Sequence, residues 1–251
     1  MSDARATAPL RAVFLDIGDT VMRPNPSWEH VYAIAFQEYG VQVEVEALRA
    51  ALRRVYHHGG FGFEDAFDAS EETSFARTME IDRAGIADLG LDPMPDSFFR
   101  RLSELFMLTS NWHVFPDAPP ALAALRARGL VVGAVSNWVW QLPELLHALN
   151  LVSHFDFIAA SSRIGFEKPH PGIFEWALAK AHVAAEEAIH VGDHLDADIE
   201  GARRSGIQPV LIDRHDRFGA GDLPPGTPLI RTLAELIPIV DARLPARMTS
   251  R

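Results

Sequence analysis

The sequence predicts an α/β protein, a doubly wound parallel sheet with an all-helical insertion. Three observations carry this expectation. Near the start, the apolar run Ala12-Val-Phe-Leu15 ends in Asp16, the pattern of a buried strand with its carboxyl end at the acid. From about Pro116 onwards, short apolar runs alternate with helical stretches, which implies parallel βαβ units. Between these regions roughly ninety residues show helical periodicity alone, a length within ordinary domain sizes.

Each element follows in order. Asn25-Pro26 reads as a helix start, with Asn as N-cap and Pro in the first turn. Helices are expected over 27–39, 45–56, 71–88 and 95–108, with no strand between them. The glycine- and proline-rich stretches from His57 to Phe63 and from Gly90 to Pro95 read as loops. A helix over 117–128 stops at Gly129. Strands are then expected at 130–135, 155–160, 188–191 and 209–212, and helices at 138–149, 171–182, 199–205 and 232–240. This divides the chain into an α/β core, 1–21 with 113–251, and a helical insertion, 22–112.

Composition narrows the function. The 251 residues carry a formal charge of −11, which disfavours a broad footprint on nucleic acid but not a local cationic pocket for a small anion. Cysteine is absent, so disulfides, thiolate metal sites and thiol nucleophiles are excluded. No apolar run approaches the ~18 residues that span a bilayer, and the N-terminus has no signal pattern. The expectation is a cytoplasmic monomer or homodimer. Of 23 basic residues only Lys168 and Lys180 are lysine, which singles out Lys168 against an arginine background.

Ligands of open parallel sheets bind beyond the carboxyl ends of the strands. Four expected strands end in polar groups there: Asp16, Gly18, Asp19 and Thr20; Ser136 and Asn137; Ser161, Ser162 and Lys168; Gly192, Asp193, Asp196 and Asp198. If the first and fourth strands are neighbours, Asp16 and Asp193 lie side by side. Two carboxylates in one cleft raise each other's proton affinity unless a cation neutralises them. Oxygen-only ligands favour Mg²⁺ over zinc. The Ser136-Asn137 turn and Lys168 suit a phosphate, and a carboxylate such as Asp16 can attack phosphorus to form an aspartyl-phosphate.

These motifs resemble the haloacid dehalogenase-like hydrolase superfamily. Asp16-Ile-Gly-Asp-Thr20 is similar to its first motif, Ser136-Asn137 to the second, Lys168-Pro169 to the third and Gly192-Asp-His-Leu-Asp-Ala-Asp198 to the fourth. The resemblance implies a Rossmann-like core with a helical cap. It implies Asp16 as nucleophile, Mg²⁺ held by Asp16, the Gly18 carbonyl and Asp193, a phosphoryl group held by Ser136 and Lys168, and Asp198 as support. Asn137, Thr20 and Trp138 are the candidate substrate-binding residues. Thr20 has the alternative of capping backbone groups in its own loop, and Trp138 that of packing.

One position departs from the pattern. Phosphatases of this superfamily carry a second Asp two residues after the nucleophile as general acid/base; here that position is Gly18. Asp19 lies one residue late and is not a safe substitute, because successive side chains at a strand end point apart. General acid help is worth about 10²–10⁴ in rate, so acyl or aryl phosphates are expected over alkyl ones, unless His57 or His58 reaches in from its glycine-rich loop. The expected function is Mg²⁺-dependent hydrolysis of a small phosphorylated metabolite. Two alternatives stand beside it: metal-free 2-haloacid dehalogenation, whose enzymes also lack the second Asp, and a non-catalytic binding or regulatory member. His190 and His194 invite a zinc reading, but His190 sits in a strand pattern, so a structural role is expected instead.

Overall fold

The computed structural model of the chain describes residues 8–56, 65–87, 89–91 and 93–244. Six parallel strands form its frame: β1 (Ala12–Leu15), β4 (Val131–Ser136), β5 (Phe157–Ala160), β6 (Ala188–Gly192), β7 (Gln208–Ile212) and β8 (Leu229–Ile230). Their spatial order is β5-β4-β1-β6-β7-β8. β1 is thus flanked by β4 and β6, and connections leave this centre in opposite directions, the arrangement that opens a crevice at the strand tips.

Alternation along β1 feeds two cores. Val13 and Leu15 join one apolar cluster, and Ala12 and Phe14 the other, because successive strand residues face opposite ways. On the first face pack α5 (Ala118–Ala127), α6 (Leu142–Ala148) and α10 (Leu236–Asp241), through Leu122, Leu125, Leu145 and Leu236. On the second lie α8 (Pro171–Ala181) and α9 (Gly201–Arg204), through Ile173, Phe174 and Ala202. A short helix, α7 (Ser161–Ile164), follows β5 directly.

The insertion contains α1 (Trp28–Glu38), α2 (Val45–Val55), α3 (Glu71–Ala87) and α4 (Asp96–Met107). They enclose a separate core that includes Val31, Phe36, Leu48, Ile86, Phe98 and Leu102. Contrary to expectation, two strands accompany it. β2 (Met22–Pro24) and β3 (Trp112–Val114) pair antiparallel where the chain leaves and re-enters the main sheet. Three residues are too few to show an alternating pattern, so the sequence carried no signal for them. The two-residue β8 went unread for the same reason.

Three further boundaries differ. The first helix begins at Trp28 with Ser27 at its cap, while the Asn25 N–H donates to the Asn111 carbonyl at 2.8 Å. The helix expected from Trp138 starts only at Leu142, because Trp138 N–H and Trp140 N–H donate instead to the hydroxyls of Ser161 and Ser74, at 3.1 and 3.2 Å. The helix expected from Ile199 is preceded by a π-helical turn, Leu195–Glu200.

The insertion buries one acid. Asp82 accepts hydroxyl hydrogen bonds from Tyr32 at 2.5 Å and Tyr56 at 2.7 Å. Burial pushes its carboxyl up to about 6, against the lowering effect of the two hydroxyls. Its folded value lies above the unfolded one, so its contribution to stability is full below about pH 4 and is lost as pH rises through about 6, an effect of about 3 kcal/mol. Asp82→Asn is expected to remove this part of the slope. Urea unfolding of both proteins between about pH 4 and about pH 7 checks it, and identical slopes would refute it.

Candidate active site

The β1 ladder continues one residue past the strand, since Asp16 N–H donates to the Val191 carbonyl at 2.8 Å. This seats Asp16 against the tip of β6. From the other side Ser136, the last residue of β4, donates its hydroxyl to Asp16 Oδ1 at 2.8 Å. Lys168 Nζ donates to the same oxygen at 2.7 Å and to Asp198 Oδ1 at 2.5 Å. Among the described residues no hydrogen bond reaches Asp16 Oδ2. One carboxylate oxygen is therefore anchored twice, and the other accepts no hydrogen bond from the described residues.

Supporting contacts hold this triad. Asp198 Oδ1 also faces His190 Nε2 at 2.9 Å, and Asp198 Oδ2 accepts from His194 N–H at 3.0 Å. A Cβ at Gly192 would lie 2.1 Å from Asp198 Cγ, so only glycine lets Asp198 lie across the tip of β6. Burial lowers the proton affinity of His190, so the ring is neutral and its Nε2–H donates to Asp198. The histidine pair is thus not a zinc site: His190 serves Asp198 inside the second core, in T-shaped contact with Phe174 at 5.2 Å.

Charge in the cleft is unbalanced. The ligand oxygens of Asp16, Asp193 and Asp198 all lie within 4.8 Å of one another. Burial and the neighbouring Asp198 raise the Asp16 carboxyl, and Lys168 opposes them. Burial, then Asp16, Asp198 and Asp19, push Asp193 well above the carboxylate range. Asp198 goes the other way: burial works against its charge, yet Lys168 and His190 hold it low. Lys168 stays protonated despite burial because two carboxylates face it. Lys168, bridging Asp16 and Asp198, and Arg217, on Asp193 at 3.0 Å, are two cations against the three acids, which leaves a deficit of positive charge. The donors are hard oxygens, so the residues fit a divalent cation of the Mg²⁺ type.

Other expected residues fall differently. The Asn137 carboxamide bridges the backbone of Lys168, donating to its carbonyl at 2.8 Å and accepting its N–H at 2.7 Å. Asn137 therefore splints the lysine rather than simply facing substrate. Thr20 is wholly buried, its carbonyl is capped by Arg214 at 2.7 Å, and its hydroxyl has no hydrogen-bond partner among the described residues. Trp138 lies over Gly18, with Cζ3 3.4 Å from where a Cβ would stand. Gly18 itself bridges to Met22. Asp19 adopts φ 50° and its carboxylate faces His215 at 3.7 Å. Asp196 pairs with Arg204 at 3.7 Å, apart from the cluster. His57 and His58 lie outside the described residues.

One further group at the site is not among those expected from the sequence. Arg217 Nη2 donates to the carbonyl and to Oδ2 of Asp193, both at 3.0 Å. It is aimed there by Asp213, which follows β7 and accepts from Phe218 N–H, Arg217 Nε and Arg231 Nη1 at 2.9, 3.3 and 3.0 Å. Burial works against the Asp213 charge, but these donors hold its carboxyl below the usual range. The signal was present: Asp213 closes a fifth apolar strand just as Asp16 closes the first.

A doubly wound sheet with a helical insertion after its first strand, and an acid–lysine cluster at the switch of strand order, defines an α/β enzyme class built on a carboxylate. Comparison with known proteins makes this specific. The chain belongs to the haloacid dehalogenase-like hydrolase family, whose model matches residues 10–206. It is 30% identical over 234 residues to the haloacid dehalogenase-like hydrolase domain-containing protein 3 of Danio rerio, covering 91% of this chain and 95% of that protein. A phosphoserine phosphatase of Thermus thermophilus is 34% identical over 135 residues, 53% of this chain and 51% of that protein. The crystal structure of a HAD phosphatase from Thermococcus onnurineus matches with a TM-score of 0.64 at 25% identity, covering 92% of this chain and 98% of that one.

Proposed function

We propose that the chain is a Mg²⁺-dependent phosphomonoester hydrolase of a small phosphorylated metabolite, working through an aspartyl-phosphate on Asp16. The observation that carries this is the asymmetry of the Asp16 carboxylate. Oδ1 is held by Ser136 and Lys168, which leaves Oδ2 to attack phosphorus. Ser136 and Lys168, already converging on that carboxylate, provide a hydroxyl and an ammonium for the oxygens of a phosphoryl group. Asp16, the Gly18 carbonyl and Asp193 would hold Mg²⁺, with Arg217 fixing Asp193. Mg²⁺, when bound, offsets the repulsion between the attacking carboxylate and a phosphate dianion. Asp198 and Asn137 keep Lys168 in place. In this reading residues 1–21 and 113–251 carry the chemistry, and 22–112 form the cap that selects substrate. The phosphatases of Thermus thermophilus and Thermococcus onnurineus support the class of reaction.

The test is release of inorganic phosphate from a panel of phosphorylated metabolites and aryl phosphates, with and without Mg²⁺. Phosphate release that requires both Mg²⁺ and Asp16 is the expected result. Halide release from 2-haloacids without Mg²⁺ would instead make this a dehalogenase, and neither activity would make it a binding or regulatory member. A second readout is independent of turnover. At about a hundred times its dissociation constant, Mg²⁺ stabilises the native state by about 2.7 kcal/mol, which raises the melting temperature by roughly 5–10 °C for a chain of this size. Asp193→Asn is expected to abolish that shift.

A further inference from the structure

We propose that Arg217, aimed by the buried Asp213, is a positioning residue that presents Asp193 to Mg²⁺, so that the loop following β7 sets the affinity of the site for its cation. This rests on the Mg²⁺-dependent reading and deepens it, by naming what regulates the hold of the site on the metal. Asp193 sits on the loop after β6, where its side-chain torsions would let the carboxylate turn. Arg217 Nη2 removes that freedom, because it donates at once to the main-chain carbonyl and to Oδ2 of this one residue, both at 3.0 Å. Among the described residues no hydrogen bond reaches Asp193 Oδ1, and an oxygen of Asp193 lies within 4.8 Å of oxygens of Asp16 and Asp198. A ligand fixed before the metal arrives gives up less conformational freedom on binding it.

Arg217 is itself held from behind. Its Nε donates to Asp213 Oδ1 at 3.3 Å, and Asp213 is wholly buried. The Asp213 carboxylate also accepts from His215 N–H at 3.3 Å, Phe218 N–H at 2.9 Å and Arg231 Nη1 at 3.0 Å, while its own N–H donates to the Ile230 carbonyl of β8 at 2.8 Å. Arg231 ends on Asp216 at 2.6 Å. Arg217, Asp213, Arg231 and Asp216 thus form a chain of two cations and two anions. That balance decides the sign of the effect. A lone guanidinium beside Asp193 would repel a second cation, whereas one neutralised along this chain orients the carboxylate with little charge opposing the metal. Arginine suits the task because it reaches Asp213 through Nε and Asp193 through Nη2, two donors set in one rigid plane.

The same loop reaches the first strand tip. Arg214 donates to the Thr20 carbonyl through Nη2 at 2.7 Å and Nε at 3.1 Å, and it forks onto Asp117 with both bonds at 3.1 Å. Its guanidinium lies over the Phe115 ring, 3.8 Å from the centroid. His215 faces Asp19 at 3.7 Å. All three basic side chains of residues 213–218 therefore end on the loop of Gly18 or on that of Asp193. Those two loops leave β1 and β6, which are neighbours in the sheet, and the loop after β7 ties them together.

The test is calorimetric titration of Mg²⁺ alone, without substrate, into the wild type, Arg217→Ala, Arg217→Lys, Asp213→Asn and the double variant of Arg217→Ala with Asp213→Asn. Groups behind a metal ligand are worth about 10–100-fold in affinity, so Arg217→Ala is expected to raise the dissociation constant about tenfold or more. Arg217→Lys is expected to recover little of this, since one ammonium cannot span both acids. Asp213→Asn is expected to weaken binding as well, and the double variant to bind within about twofold of Arg217→Ala, because Asp213 acts through Arg217. The Arg217 side chain is 40% exposed, so its loss is expected to leave the melting temperature without metal nearly unchanged. If Asp213→Asn does not fold, the two Arg217 variants decide the question. A dissociation constant unchanged in Arg217→Ala would overturn the proposal, and a lower one would do so by making Arg217 a competitor of the metal. Additive losses, or weaker binding that comes with a large fall in the metal-free melting temperature, would also overturn it. Binding that Asp193→Asn abolishes and Arg217→Ala leaves intact would overturn this proposal alone. A wild type that binds no Mg²⁺ would overturn it together with the Mg²⁺-dependent reading.

Discussion

Asp16→Asn is expected to reduce phosphate release by about 10⁴-fold or more, with no loss of thermal stability. The amide is isosteric and its oxygen can still accept from Ser136, so the local packing is preserved. What disappears is the anionic oxygen that attacks phosphorus, and a neutral amide does not replace a nucleophile. The stability half of the result follows from the charge deficit. Burial and Asp198 already raise the Asp16 carboxyl, so its charge is a cost to the folded state, and Asp193 is raised partly by Asp16. Removing that charge relieves both acids, while Lys168 keeps Asp198 as partner at 2.5 Å. An equal or higher melting temperature beside collapsed turnover would mark Asp16 as a group kept for function at the expense of stability. A variant retaining activity within about tenfold of the wild type would rule out Asp16 as nucleophile.

The second large effect is on folding. Lys168 is 2% exposed and bridges two acids. Lys168→Met fills a similar volume but leaves those carboxylates buried without their cation. Breaking such a pair from one side costs about 3–5 kcal/mol, equivalent to roughly 10 °C or more in melting temperature for a chain of this size. Adding Asp198→Asn removes the charge that suffers most, since Asp198 is the acid that Lys168 holds low. The double variant is therefore expected to regain part of the loss, and a double-mutant cycle measures the coupling. Strict additivity of the two changes would show that the three groups do not act as a unit.

Much of this site is legible in the sequence because strand tips announce themselves. An apolar run closed by an acid locates Asp16, and the same pattern repeated at β7 locates Asp213, although only the first was read. Lysine scarcity draws attention to Lys168, but nothing in the order of residues says that it is buried between two acids. Asn137 illustrates the limit. Its place beside Ser136 suggested phosphate, whereas its carboxamide is committed to the backbone of a residue 31 positions away. Thr20 is similar: a hydroxyl in a loop at a strand tip reads as a ligand or a cap, and only the folded loop shows it wholly buried and without a hydrogen-bond partner among the described residues. Arg217 could not be separated by composition from the many other arginines, since its role depends on the turn that Asp213 builds.

The amino-acid order alone determined the α/β class, the helical insertion and the set of strands that end in chemistry, because periodicity and strand-end polarity are local and survive in one dimension. The tertiary structure alone decided which of those ends meet. Adjacency of β1, β4 and β6 comes from how the crossovers wind, and it sets which carboxylates share a field, which of them a lysine bridges and which oxygen of Asp16 has no partner among the described residues. It also brought Trp28 of the insertion against Trp138 of the core above Gly18, a contact between residues 110 positions apart in the sequence. Electrostatic and packing energies depend on distance through space, and separation along a chain carries almost none of that information.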